Sequence, residues 1–284
     1  ERLRQDLARF RAAEGLATVV VVNVASTEAP VALRPEHEHL ADFERLLRED
    51  RRDAVTPSML YAYVALSSGC PYVNFTPSAG AALGALGELA AARGVPYYGN
   101  DGKTGETLVR SVLAPLFGWR NLEVLAWHGV NLLGGGDGRV LAEAGPRQAK
   151  VRSKHAVLER LLGYRPEGGV AIEYLPSLGN WKTAWDYVQF RGFLGTRMTL
   201  QFVWQGCDSA LAAPLVLDLV RLAEYAHRAG EAGPMYHLAC FFKDPLGVEV
   251  HALGEQYRML VDYVARHTGR RLRAVTAAPA EGDA

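Results

Sequence analysis

Short apolar runs and longer helical runs alternate from Thr18 to Phe117, and this alternation constrains the fold more than any other feature of the chain. The β-branched run TVVVVNV (Thr18 to Val24) shows no polar alternation, as expected of a strand buried on both faces. Between His37 and Glu49, Leu40, Phe43, Leu46 and Leu47 recur at helical spacing. Thr56 supplies a cap and Pro57 a first helical residue, and the helix they open closes at Gly69. PYVNF reads as a second strand and AGAALGALGELAAARG as a small-residue helix stopped by Gly94. VPYYGND is a third strand and GETLVRSVLAPLF the next helix. Strands joined by crossovers of helical length run parallel, so the first part of the chain is α/β with a parallel sheet.

From about Leu122 the texture changes. LEVLAWHGVNLLGGGDG is a strand running into a glycine-rich turn, and GGVAIEYLPSLGNW and RMTLQFVWQG are further strands, as in an α+β segment. After Cys207 come two long helical runs, DSALAAPLVLDLVRLAEYAHRAG and HALGEQYRMLVDYVARHTG, and a tail, TAAPAEGDA, with the composition of a disordered segment. No internal repeat is present.

With 284 residues, 49% hydrophobic and 22% charged, the chain can bury the core of one large domain or two ordinary ones. Its 31 basic and 31 acidic residues cancel, which removes any general attraction to nucleic acid or to an anionic membrane. Neither a membrane-spanning apolar stretch nor a signal-peptide pattern is found. Cys70, Cys207 and Cys240 have no paired spacing, so no disulfide framework and no metal site is expected, and a reducing cytoplasm is the simplest setting. The chain opens ERLRQDLARF without an initiator Met and is expected to begin partway into a longer protein.

The loop GNDGKTGETL (Gly99 to Leu108) carries the tail of a P-loop, but the leading glycine that motif requires is Tyr97 here. Its amides at Thr104, Gly105, Glu106 and Thr107 fall at a strand's C-terminal end and at the start of a helix. They could cradle a phosphate there, or simply form a strand-to-helix turn with a Thr cap. GGGDG (Gly134 to Gly138) could let backbone approach a ligand or be a surface turn. Lys154, Lys182 and Lys243 each flank apolar or aromatic residues, consistent with snorkelling over a packed surface or with a desolvated, proton-handling ammonium. His128 in WHGVN reads more readily as a core histidine than as a catalyst.

Read in order, these pieces resemble the myo-inositol-1-phosphate synthase (inositol-3-phosphate synthase) family, bacterial type. VVVVNVASTE is similar to the family's strand and its threonine- and asparagine-containing turn. TPSMLYAYVALSSGCPYVNFTP resembles its Ser-Pro-Ser helix and the Pro-Tyr-Ile-Asn-Gly-Ser-Pro segment that follows. GNDGKTGETL resembles Gly-Asp-Asp-Leu-Lys-Ser-Gly-Gln-Thr, NLLGGGDG resembles Asn-His-Leu-Gly-Asn-Asn-Asp-Gly, and RSK matches Arg-Ser-Lys. LPSLGNWKTAWD is similar to Val-Gly-Asp-Ser-Lys-x-Ala-x-Asp. CDSALAAPLVLDL resembles Glu-Asp-Ser-Leu-Leu-Ala-x-Pro-Leu-x-x-Asp-Leu, and FFKDPL the late Leu-Lys-x-Pro-Leu.

The resemblance implies a Rossmann-like NAD-binding domain, incomplete at its N-terminus, with an inserted α+β catalytic and tetramerisation domain. Residues 1–107 and 208–284 would form the first and residues 108–207 the second. It implies cyclisation of glucose 6-phosphate to 1D-myo-inositol 3-phosphate: NAD⁺ takes hydride from C5, C6 is enolised, C6 joins C1 in an aldol closure, and the hydride returns to C5. By the same resemblance Thr104, Gly105, Glu106, Thr107 and Lys182 hold the substrate phosphate. Lys154 lies near the C5 oxygen, Lys243 near the C1 alkoxide, and Lys182 also by the reacting carbons. Ser26, Thr27, Asp101, Gly135, Gly136, Asp137, Asp208 and Ser209 face NAD. A homotetramer is implied, and an activating cation is left open. The sequence departs from the family at Leu158 (a lysine there), at Asn180-Trp181 (Asp-Ser), at Gly135-Gly136 (Asn-Asn), and in having no G-x-G-x-x-G strand at its start. A sugar-phosphate dehydrogenase and a non-catalytic oligomeric homologue are the alternative readings.

Overall fold

A computed structural model describes residues 1–136, 138 and 158–270. In chain order the described elements are α1 (Arg2–Ala13), β1 (Val21–Asn23), α2 (Leu40–Arg48), α3 (Pro57–Ser67), β2 (Tyr72–Asn74), α4 (Gly84–Arg93), β3 (Pro96–Gly99) and α5 (Glu106–Trp119). Then follow β4 (Glu123–Leu133), β5 (Val170–Tyr174), β6 (Lys182–Arg191), β7 (Arg197–Gly206), α6 (Asp208–Arg228), β8 (Gly233–Pro234) and α7 (Leu253–Thr268).

The first sheet runs β1-β2-β3-β8 with every pair parallel, as the alternation of runs requires. Strand geometry divides its residues between two cores, because successive side chains point to opposite faces. Tyr72 and Tyr97 pack with Phe43, Leu46, Met59 and Leu86 from α2, α3 and α4. Val73 and Tyr98, one residue on, pack with Leu219 and Ala223 of α6 and with Leu238 and Phe242. Thr56 caps α3 as read, accepting from the Met59 amide at 3.4 Å.

In register, Asn23, Asn74 and Gly99 stand side by side at the C-terminal edge of this sheet. Asn74 is fully buried and donates to Ser78 O (2.7 Å) and Asn100 Oδ1 (2.9 Å) while its own Oδ1 accepts from Thr76 Oγ1 at 2.8 Å. A buried amide with its capacity spent this way fixes the loops that leave the strands. Those loops carry the site.

The second sheet runs β5-β4-β6-β7, with β5 parallel to β4 and the other pairs antiparallel. Its covered face packs Trp127, Val188 and Val124 against Ala114 and Phe117 of α5. Its other face is open, with Val203 65% exposed and Trp185 38% exposed.

Besides the two-residue β8, two elements were not read from the sequence. KTAWDYVQFR forms all of β6, and its alternation is masked because the inward positions Ala184, Asp186 and Val188 include a charge. The opening α1 carries Leu3, Leu7 and Phe10 at helical spacing, a legible signal that was missed, although it buries no residue fully. The strand at Thr18 to Val24 shortens to Val21–Asn23, and GGVAIEYLPSLGNW leaves the sheet after Tyr174 for a 3-10 turn at Pro176–Leu178.

His237, in the 3-10 turn Tyr236–Phe241, stacks on Tyr263 of α7 with ring centroids 3.5 Å apart, and its Nε2 is buried without a hydrogen-bond partner among the described residues. Burial lowers its pKa to about 4, with the charges of Arg266 and His267 adding to the effect. The unfolded chain binds this proton near pH ~6.5 and the folded chain does not, so stability is full above that pH and falls as acid is added. Urea unfolding should show this group costing up to about 1.4 kcal/mol per pH unit between pH ~6.5 and about 4, levelling below that, and His237→Phe should flatten the dependence.

Candidate active site

The turn after β3 is built as a strand-like ladder with a distant segment. Asn100 N donates to Asp244 O (2.9 Å), Lys243 N to Asp101 O (2.7 Å) and Lys103 N to Phe241 O (2.7 Å). Asp101 takes a left-handed backbone, φ 59°, which turns its carboxylate toward Lys243 Nζ at 2.8 Å. Residues read separately from two loops are thus one charge pair. Gly102 is required between them, since a Cβ there would lie 2.1 Å from the Phe75 ring.

Lys103 turns inward instead. It is buried and donates through Nζ to Gln256 Oε1 of α7 at 3.0 Å. Burial lowers its pKa to about 8, Lys243 adds to that, and Cys240 opposes it. This lysine ties the loop to α7 and leaves the cleft to its neighbours.

Gly105 caps α5, and Trp204 of β7 fills the space where its Cβ would be, 2.3 Å from Nε1. The first turn of α5 therefore presents its free amides at the loop end, the arrangement that favours an anion. Glu106 contributes to the wall there, but its side chain engages cations rather than the anion. Its carboxylate is completely buried and pairs with Arg110, one helical turn on, at 2.6 Å. Arg110 also donates through Nε to Asp186 Oδ1 of β6 at 2.8 Å, and Trp127 Nε1 donates to the same oxygen at 2.7 Å. Gly129, directly across from Asp186 in the β4–β6 pairing, has no Cβ where Arg110 Nη2 lies, 2.1 Å from that position. Burial raises the Asp186 carboxyl above its ordinary value, with Arg110 opposing and Glu106 reinforcing the shift.

Lys182 opens β6 and projects from the same sheet face as Asp186, by strand periodicity. Its Nζ lies 3.0 Å from Asp208 Oδ2 at the start of α6 and 3.8 Å from Glu106 Oε2. Asp208 also accepts from Thr104 Oγ1 at 3.4 Å. The phosphate-type turn, β6 and the start of α6 are therefore joined through charged side chains.

A cleft of about 780 Å³ lies over these groups. Among the residues singled out from sequence, Ser26, Thr27, Asp101, Thr104, Glu106 and Thr107 line it. So do Gly135, Gly136, Lys182, Asp208, Ser209 and Lys243. Gly105 stands behind the wall as the cap of α5. Asp137 and Lys154 lie outside the described residues. Arg110, Asp186, Trp127 and Gly129 were missed, although Glu106 and Arg110 at helical i, i+4 spacing were a legible ion-pair signal. The glycine-rich turn, two hydroxyl side chains after β1 and the start of α6 give an open backbone surface with polar donors on the cleft. These suit a dinucleotide's polar groups, and Gly136 has nothing among the described residues within 4 Å of where a Cβ would stand.

A parallel α/β sheet whose strand ends feed a cleft with two lysines and an anion-ready helix start is the arrangement of the Rossmann-like class. The myo-inositol-1-phosphate synthase family model matches residues 1–265, and the chain belongs to that family. It is 35% identical to inositol-3-phosphate synthase 1 of Bacteroides thetaiotaomicron over 95% of this chain and 66% of that protein. It is 34% identical to inositol-3-phosphate synthase 1 of Rattus norvegicus, over 80% of this chain and 42% of that one. Inositol-3-phosphate synthase from Caenorhabditis elegans superposes with a TM-score of 0.84 at 26% identity, covering 96% of this chain and 60% of that chain. The chain thus spans from 42% to 66% of the length of these relatives.

Proposed function

We propose that the protein carrying this chain cyclises glucose 6-phosphate to 1D-myo-inositol 3-phosphate with NAD. The observation that carries this reading is the single cleft on which Lys182 and Lys243 both open, beside the start of α5, in a chain of this family. NAD, when bound, supplies hydride acceptance at C5 and its return; Ser26, Thr27, Asp101, Gly135, Gly136, Asp137, Asp208 and Ser209 would hold it. The amides of Thr104 to Thr107 take the phosphate, which leaves the sugar chain extended toward the lysines. Enolisation places negative charge on the C5 oxygen and ring closure places it on the C1 oxygen. Lys154 serves the first and Lys243 the second, while Lys182 bridges the phosphate and the reacting carbons. Asp101 keeps the Lys243 ammonium in place at 2.8 Å.

On this reading, residues 1–107 and 208–284 form the dinucleotide-binding domain and residues 108–207 the catalytic and assembly domain. The open face of the β4–β7 sheet, with Val203 65% exposed, supports assembly into a homotetramer through that domain. Cys70, Cys207 and Cys240, all free thiols, support a cytoplasmic setting; among the described residues no helix is long and apolar enough to cross a membrane.

The test is product analysis with the full-length protein, glucose 6-phosphate and NAD. A cyclitol phosphate formed without net NADH is expected. Net NADH accumulation would identify a dehydrogenase, and no binding of either ligand a non-catalytic homologue.

A further inference from the structure

A carboxylate in the wall of a phosphate site is an electrostatic liability, and Glu106 is one. Its side chain is completely buried, and Oε2 lies 3.8 Å from Lys182 Nζ. Three arrangements show that it is built in rather than tolerated. Arg110 meets it at 2.6 Å from one turn along α5, Asn131 Nδ2 approaches it at 3.4 Å from β4, and Gly129 lacks the Cβ that would displace the Arg110 guanidinium. Arg110 is in turn shared with Asp186, so its charge is divided between two carboxylates and leaves Glu106 able to attract a second cation.

The second cation is Lys182. In a cleft that takes a phosphate dianion, an unrestrained ammonium on a flexible four-carbon stem would collapse onto the phosphate. Asp208 at 3.0 Å and Glu106 at 3.8 Å flank it on two sides and keep it from leaving the reacting carbons for the phosphate alone. We propose that Glu106 is a positioning residue that restrains Lys182 at the reacting carbons, at the expense of phosphate affinity. This deepens the cyclase reading and rests on it for the identity of the reacting carbons.

The two consequences have opposite signs, which makes the role separable from a structural one. Glu106→Gln keeps the side chain's size and its bonding capacity toward Asn131 but removes the charge. In titration calorimetry of the chain with inorganic phosphate, E106Q should bind about fivefold more tightly than wild type, because one like charge has left the site. In the full-length protein, E106Q should lower kcat about tenfold while lowering KM for glucose 6-phosphate, the pattern of stronger ground-state binding with a misplaced catalyst. Glu106→Asp retains the charge on a shorter reach and folds around the same Arg110. It should lose kcat with phosphate affinity within about twofold of wild type. Equal or weaker phosphate binding by E106Q, phosphate binding by neither protein, or an E106D variant that gains affinity as E106Q does, each overturns the proposal. An unchanged kcat in both variants does the same. Wild-type protein that makes no cyclitol phosphate removes the cyclase reading, and the phosphate comparison then decides the role of Glu106 by itself.

Discussion

Arg110→Met should lower the melting temperature of the chain by roughly 10 °C, the largest stability effect expected of any single substitution near the site. The guanidinium is 2% exposed, and the Glu106 and Asp186 side chains it joins are not exposed at all. Methionine fills most of the volume, so packing is nearly conserved and the loss is electrostatic. Asp186 is left in a dry layer between α5 and the sheet without the cation that met it, Glu106 loses the nearer of its described cations, and breaking such a buried pair costs about 3–5 kcal/mol. Asp186 Oδ2 lacks a hydrogen-bond partner among the described residues, so without Arg110 the carboxylate keeps only the Trp127 Nε1 bond to Oδ1. The cost should shrink as pH falls, because protonation removes the uncompensated charges. Replacing all three residues together, as Glu106→Leu, Arg110→Met and Asp186→Leu, should recover much of the lost stability, since an apolar set of similar volume avoids the desolvation. Thermal melts of the single and triple variants check this; a single variant melting within about 2 °C of wild type contradicts it.

What the sequence disclosed and what it hid follow from how each feature is encoded. The first sheet was legible because Tyr72-Val73-Asn74 and Tyr97-Tyr98-Gly99 are buried on both faces and read as unbroken apolar runs. The anion-ready turn was legible because glycine and threonine at a helix start leave a local signature. β6 was not, because Asp186 interrupts its inward face, and a charge on a buried face makes sense only once Arg110 is known to stand above it. Lys103 and Lys243 were indistinguishable as letters. Only the ladder between Asn100–Lys103 and Phe241–Asp244 shows that one turns into the protein, toward Gln256, and the other toward Asp101. Gly129 carries no local signal at all, since its requirement is set by a side chain nineteen positions away (129 − 110) in the helix above.

Lys182→Ala should show the converse of Arg110→Met: a fold left nearly intact and a reaction nearly lost. The Lys182 side chain is 12% exposed at the edge of the cleft, and the groups it leaves behind have other support. Glu106 keeps Arg110, and Asp208, one-third exposed, keeps water. The stability change should therefore stay within about 1 kcal/mol. The rate change should be far larger. Negative charge moves between oxygens of the sugar as the ring closes, and a fixed ammonium that meets it is worth roughly 10²–10³ in kcat, as removal of one oxyanion donor is elsewhere. Lys182→Arg restores the charge but not the point geometry, because the planar guanidinium is broader than an ammonium and would compete for both flanking carboxylates in a bidentate fashion. It should recover phosphate binding more than turnover. Initial rates of cyclitol phosphate formation at saturating glucose 6-phosphate and NAD, set beside thermal melts of the same variants, provide the check. A Lys182→Ala protein turning over within about threefold of wild type would place the charge-stabilising work on Lys243 and Lys154 alone.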